Sequence, residues 1–150
     1  MELQTDQPST ECREKALKML DQISRKSAVS LASLGEEERW LMLSLAALSL
    51  STGQEYSEKE VNEALLAWLQ AGEGMLRIDH VELRRVLIDF GLWRRRDGGR
   101  AYSLNCPQTD DRFATIIAAF GEDDGKALIS QRRTSALQAR AARRAARLAL

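Results

Sequence analysis

The chain has 150 residues, and its 22 basic and 22 acidic side chains cancel to a formal charge of zero. That size suggests a small soluble protein of one domain, or of one domain with an arm, large enough to bury a core. An apolar fraction of 44% beside 29% charged residues excludes global disorder and collagen-like structure, and the longest apolar run, Trp40 to Leu50, falls short of the roughly 18–20 residues of a membrane span.

Four segments are expected. Residues 1–33 read as a helix and a linker: Ser9 or Thr10 can cap a helix whose Cys12, Ala16, Met19, Leu20 and Ile23 share one face, and Ser24 to Ser33 is serine-rich and polar. Residues 34–105 read as the main domain. Gly35 precedes Glu36, Glu37 and Glu38, three carboxylates suited to the positive end of a helix dipole. The helix they open, Trp40 to Leu50, is apolar on nearly every face and is expected at the centre of the fold, with Gly53 ending it.

Ser57 to Glu60 forms a capping box for a second helix of this domain, which buries Val61, Leu65, Trp68 and Leu69 and stops at Ala71 to Gly74. Met75 to Ile78 is a short extended link. Asp79 to Glu82 is a second box, opening a third helix that ends near Phe90 and Gly91. Leu92 to Arg96 and Arg100 to Leu104 flank Asp97, Gly98 and Gly99, the pattern of a β-hairpin. Residues 106–125 predict a short helix with Phe113, Ile116, Ile117 and Phe120 on one face, then an acidic turn. Residues 126–150 form an arginine–alanine helical arm without an acidic residue.

The neutral total conceals an asymmetry. Residues 1–76 hold 7 basic against 13 acidic side chains, and residues 77–150 hold 15 against 9, so a net of −6 faces a net of +6. A basic half can follow a phosphate backbone whatever the sum.

Two capped helices followed directly by a hairpin is the layout of a winged helix-turn-helix. The third helix has two faces: Leu83, Val86, Leu87 and Phe90 for the core, and Val81, Arg84, Arg85 and Ile88 on the opposite side. Arg84 and Arg85 can donate to base edges or phosphates, and Val81 or Ile88 can touch thymine methyls. Arg94, Arg95, Arg96 and Arg100 sit where a wing meets phosphates, although a strand alternates faces, so at most two of the three consecutive arginines point the same way. The alternative for Arg85 is an i, i+4 pair with Asp89, and Glu82 can engage a neighbouring arginine.

The blocks Tyr56 to Glu63 and Asp79 to Leu92 resemble a bacterial family, a domain of unknown function described as transcriptional-regulator-like and sometimes fused to a helix-turn-helix of the arsenic-repressor type. The resemblance spans roughly residues 36–104. It implies a winged-helix-like fold and a DNA-binding role, with no agreed ligand and no catalytic set. Glu36 to Glu38 stand where members have a basic stretch, and the connection from Ala71 to Ile78 is long; both shift the expected nucleic-acid contact toward the C-terminal half.

In the arm, Arg133, Arg140, Arg143, Arg144 and Arg147 fall on one side, beside an apolar strip of Leu137, Ala141, Ala145 and Leu148. Such a helix suits phosphates, an anionic membrane or a partner, and the absence of Trp and Phe disfavours the membrane.

Other signals carry less. His80 has no second histidine or thiol near it in sequence, Cys12 reads as a core residue, and no motif surrounds Cys106. Two cysteines and one histidine give no disulfide framework or metal site, and no cofactor is expected. Gly121 to Ala127 is one residue short of a phosphate loop and has no Ser or Thr after the lysine. Asp110 with Asp111 and Asp123 with Asp124 suit a cap and a turn, and the three tryptophans suit a core. Residues 1–4 give no signal peptide, so a cytoplasmic setting is expected.

The expectation is a mainly α, non-enzymatic, DNA-binding transcriptional regulator, a homodimer with double-stranded DNA as its partner. The alternative is a protein–protein assembly module on the same winged-helix fold, without nucleic-acid binding.

Overall fold

Seven consecutive residues, Leu41 to Ala47, are buried, and the rest of the fold is arranged around them. They belong to α2 (Glu36–Ala47), whose first turn carries Glu36, Glu37 and Glu38, as the dipole argument requires. Gly35 donates its N–H to Glu38 Oε1 at 3.3 Å, and Arg39 ties the entering chain by donating to the Leu31 and Leu34 carbonyls at 3.0 and 3.1 Å. The helix stops at Ala47, three residues before the Leu50 expected from the apolar run. Ser49 and Leu50 make tighter bonds to the Ala46 and Ala47 carbonyls, and the Trp93 indole N–H donates to Ala47 O at 3.0 Å. Leu50 stays buried in the turn that results.

The computed structural model describes residues 7–26, 28–51, 53–73, 75–96, 98, 100–105 and 125–149, and the side chains of these outside 7–12 and 125–129. Of the helix and acidic turn expected over 106–125, only Gly125 is described, as the first residue of the terminal helix; residues 106–124 and the side chain of Cys12 lie outside the described residues. Among those described, α1 (Gln7–Ser24) begins ahead of the expected Ser9 or Thr10 cap and buries Ala16, Leu20 and Ile23. The segment read as a linker is tied to residues 75–77: Val29 pairs with Leu76 in an isolated parallel bridge, donating to Met75 O at 2.9 Å and accepting from Arg77 N at 2.7 Å.

β1 (Glu55–Tyr56) leads into α3 (Glu58–Ala71). The Ser57 box forms in full, Glu60 N donating to Ser57 Oγ at 3.1 Å and Ser57 N to Glu60 Oε1 at 2.9 Å. These bonds hold the Glu60 carboxyl below its usual range. Val61, Leu65 and Trp68 are buried and Leu69 half-buried. In α4 (His80–Asp89), Asp79 accepts from Glu82 N at 2.8 Å, but the return bond of the box is not made. The helix closes on Gly91 at φ +78°, with Leu92 N bonded to Leu87 O and Gly91 N to Ile88 O, the paired bonds of a left-handed helix stop.

The hairpin follows as β2 (Trp93–Arg96) and β3 (Ala101–Leu104), antiparallel with Trp93 opposite Leu104 and Arg96 opposite Ala101. β1 adds to the other edge of β3, giving a three-stranded antiparallel sheet in the order β1-β3-β2. The last described element, α5 (Gly125–Ala149), packs at its root against α1, α2 and α3. The chain is therefore mainly helical with one small sheet. Among the described residues no helix is long and apolar enough to cross a membrane.

Candidate nucleic-acid interface

The outer side of α4 differs from its sequence pattern at three positions. Phe90, expected in the core, is the residue that caps the helix; it is 43% exposed and meets the Trp40 ring edge-on at 5.6 Å. The helix stop turns it out of the stripe that buries Leu83 and Leu87. Ile88, expected on the outer face, is half-buried and packs against the core cluster. Arg84 is engaged at home. Its side chain is 17% exposed, its Nη1 lies 2.6 Å from Asn62 Oδ1 and 3.1 Å from Glu58 Oε1, and its guanidinium stands 5.9 Å from the centre of the Tyr102 ring. It joins α4 to α3 and the sheet. Asn62 and Glu58 lie one turn apart on α3, a juxtaposition that only helix packing creates.

Val81 and Arg85 are exposed as expected. Arg85 and Asp89 make no ion pair among the described residues. In the hairpin, Arg94, Arg95 and Arg96 are all exposed, and register separates them. Arg95 lies opposite the buried Tyr102, on the sheet face turned to α4, and Arg94 and Arg96 occupy the other face. Arg96 is paired with Glu55 of β1. Arg100 is exposed at the end of the turn, beside Gly98 at φ +65°.

Between α4 and β2 these side chains enclose a groove of about 320 Å³ lined by Val81, Arg84, Arg85, Ile88, Asp89 and Arg95. It presents two exposed guanidiniums, one carboxylate and apolar surface from Val81 and Ile88. With Arg84 neutralised by Glu58, Arg85 and Arg95 against Asp89 leave a net charge of +1 in the groove. Sequence spacing did not assign Asp89 to it. The i, i+4 relation to Arg85 was visible, and the approach of β2 was not.

The arm divides in two. Arg133, expected on the same side as the later arginines, is 4% exposed and donates to Ser24 O at 2.7 Å and Lys26 O at 2.6 Å, binding carbonyls at and just beyond the end of α1. Burial first, and the neighbouring Arg140 second, lower its pKa, with Glu73 opposing. Arg132 pairs with Asp21 at 3.3 Å, and Arg140 donates to the Arg25 carbonyl. Arg143, Arg144 and Arg147 are exposed along the remaining length.

No group of three or more His, Cys, Asp or Glu side chains suited to a metal ion occurs among the described residues. No curated protein and no solved structure matches the chain. Residues 33–104, which carry α2, α3, α4 and all three strands, match the model of DUF2087, a family described as an uncharacterized protein conserved in bacteria.

Proposed function

We propose that the chain is a DNA-binding transcriptional regulator of the winged helix-turn-helix type, with α4 as the recognition helix and the β2–β3 hairpin as the wing. The order α2, β1, α3, α4, β2, β3 and the sheet order β1-β3-β2 support the fold reading. The observation that carries the functional reading is the groove between α4 and β2, where Arg85 and Arg95 are exposed beside Val81. A major-groove edge presents guanine O6 and N7 acceptors for Arg85, a cytosine amine for Asp89 and a thymine methyl for Val81. Arg95 and Arg100 are placed for flanking phosphates, and Arg94 for a backbone on the far side of the wing, where Arg96 is held by Glu55.

Mobility shift of the full chain on mixed-sequence duplex at low salt, run beside a solution-mass measurement of the expected homodimer, tests the proposal. Arg85→Ala with Arg95→Ala should weaken binding by at least about tenfold, because one good bidentate base contact is worth roughly 1–3 kcal/mol. If no duplex shifts, or the double variant binds like the wild type, DNA reading by this groove fails. The assembly-module reading then takes its place.

A further inference from the structure

From Gln138 to Ala149 every residue of α5 is exposed, and the stretch contains Arg140, Arg143, Arg144 and Arg147 without an acidic side chain. At about 100° per residue the four arginines share one arc of the helix, and Leu137, Ala141, Ala145 and Leu148 fill the arc beside it. Together they make one continuous strip of the helix surface. Arg143, Arg144 and Arg147 form no ion pair among the described residues.

We infer that this outer half of α5 is a second phosphate-binding element, a helical arm that lies along the backbone of duplex DNA independently of the groove between α4 and β2. The inference rests on the duplex-binding reading above but uses different residues, outside the matched family region.

Three observations favour a polyanion as the occupant. The apolar strip is too thin to hold a partner by burial: its two middle residues are alanines, and Leu148, 82% exposed, is its one largely exposed leucine. Electrostatic attraction must then dominate. Pairing this face with the same face of a second copy would bring eight arginines together with no acid between them. Among the described residues of the acidic half of a second copy, Asp21, Glu37, Glu55 and Glu58 are already ion-paired and Glu38 and Glu60 serve helix starts, so this face would compete with existing partners for those six carboxylates. A duplex presents one phosphate charge per roughly 1.7 Å of axis, against a row of arginines spanning roughly 10 Å of helix.

The root explains why the arm projects as a helix. Arg132 and Arg133 fasten it to the end of α1, so the nucleation cost is already met before Gln138. Alanine, arginine and leucine then propagate it well.

The test is the salt dependence of duplex affinity, measured by fluorescence polarisation with the full chain and a labelled mixed-sequence duplex. Arg140 is kept, because it holds the root. Arg143→Gln, Arg144→Gln and Arg147→Gln together remove three phosphate contacts, which should lower the slope of log affinity against log salt by about 2.7. Across a fourfold rise in salt the wild type then loses roughly 40-fold more affinity than the variant. Lysine at the same three positions should restore the slope, and an unchanged melting temperature shows that the fold is intact.

An undiminished slope in the Gln variant overturns the arm while leaving the groove reading in place. The converse separates them too: Arg85→Ala with Arg95→Ala binding like the wild type, beside a loss of slope in the arm variant, removes the groove reading and upholds the arm. If the chain ignores duplex but captures polyglutamate, or doubles its mass in a way the Gln variant loses, the arm serves a protein and the inference is overturned.

Discussion

Arg84 and Arg85 are neighbours in sequence with opposite expected consequences, and the contrast separates fold from function. Truncation at Arg84→Ala removes an ion pair to the half-exposed Glu58, a charge-assisted hydrogen bond to Asn62 and a cation–π contact with Tyr102. An ion pair of that exposure contributes about 0.5 kcal/mol, the charged hydrogen bond about 1.5, and the ring contact about 0.5. The three share one guanidinium and do not strictly add, so the expected loss is about 2 kcal/mol. For a chain of this length that corresponds to a fall in melting temperature of about 4–8 °C. Arg85→Ala, at an exposed position without these partners, should stay within about 0.5 kcal/mol of the wild type. Urea and thermal unfolding followed by circular dichroism measure both. An Arg84→Ala protein that melts within a degree of the wild type would refute the strut assignment, and would return Arg84 to the set of free donors in the groove.

Arg133→Met should be the most damaging single change in the arm. It strands the Ser24 and Lys26 carbonyls, costs about 3 kcal/mol and increases amide exchange at the root of α5; equal exchange in both proteins would contradict the anchor. Gly91→Ala meets no atom within 4 Å, so its cost is the backbone conformation alone at φ +78°, about 1 kcal/mol by chemical denaturation. At the Ser57 box, Ser57→Ala should cost about 1 kcal/mol. Because the Glu60 carboxyl is held below its ordinary value of 4.5, its contribution is complete above that pH and is lost as pH falls through the lowered folded value. An acid titration of stability should therefore be flatter in this range for Glu60→Gln than for the wild type.

Local rules carried the helices and the hairpin a long way. The Ser57 box depends on side chains three residues apart, and Gly91 supplies the one backbone conformation that the stop of α4 requires; both are properties of neighbouring residues, legible without tertiary context. The buried stripe of α3 follows from 3.6-residue periodicity in the same way. Element ends were less legible where a distant group intervenes. The chain tightens at the end of α2, where Leu50 N and the Trp93 indole share the Ala47 carbonyl before the apolar run is complete, and the helix stop swings Phe90 out against Trp40.

The candidate site divides along the same line. Composition and periodicity placed an arginine-bearing face on α4, arginines on the hairpin and an acid-free arm at the end of the chain, because charge count and helical phase are written in the sequence. Which of those arginines remain available was decided by packing. Glu58 and Asn62 of α3 reach Arg84, Glu55 of β1 reaches Arg96, and the end of α1 takes Arg133. Each partner lies at least 22 residues away in sequence, and a guanidinium binds whichever oxygen the fold brings within about 3 Å. Sequence alone determined where positive charge is carried; tertiary structure decided which charges are spent on the fold and which face outward.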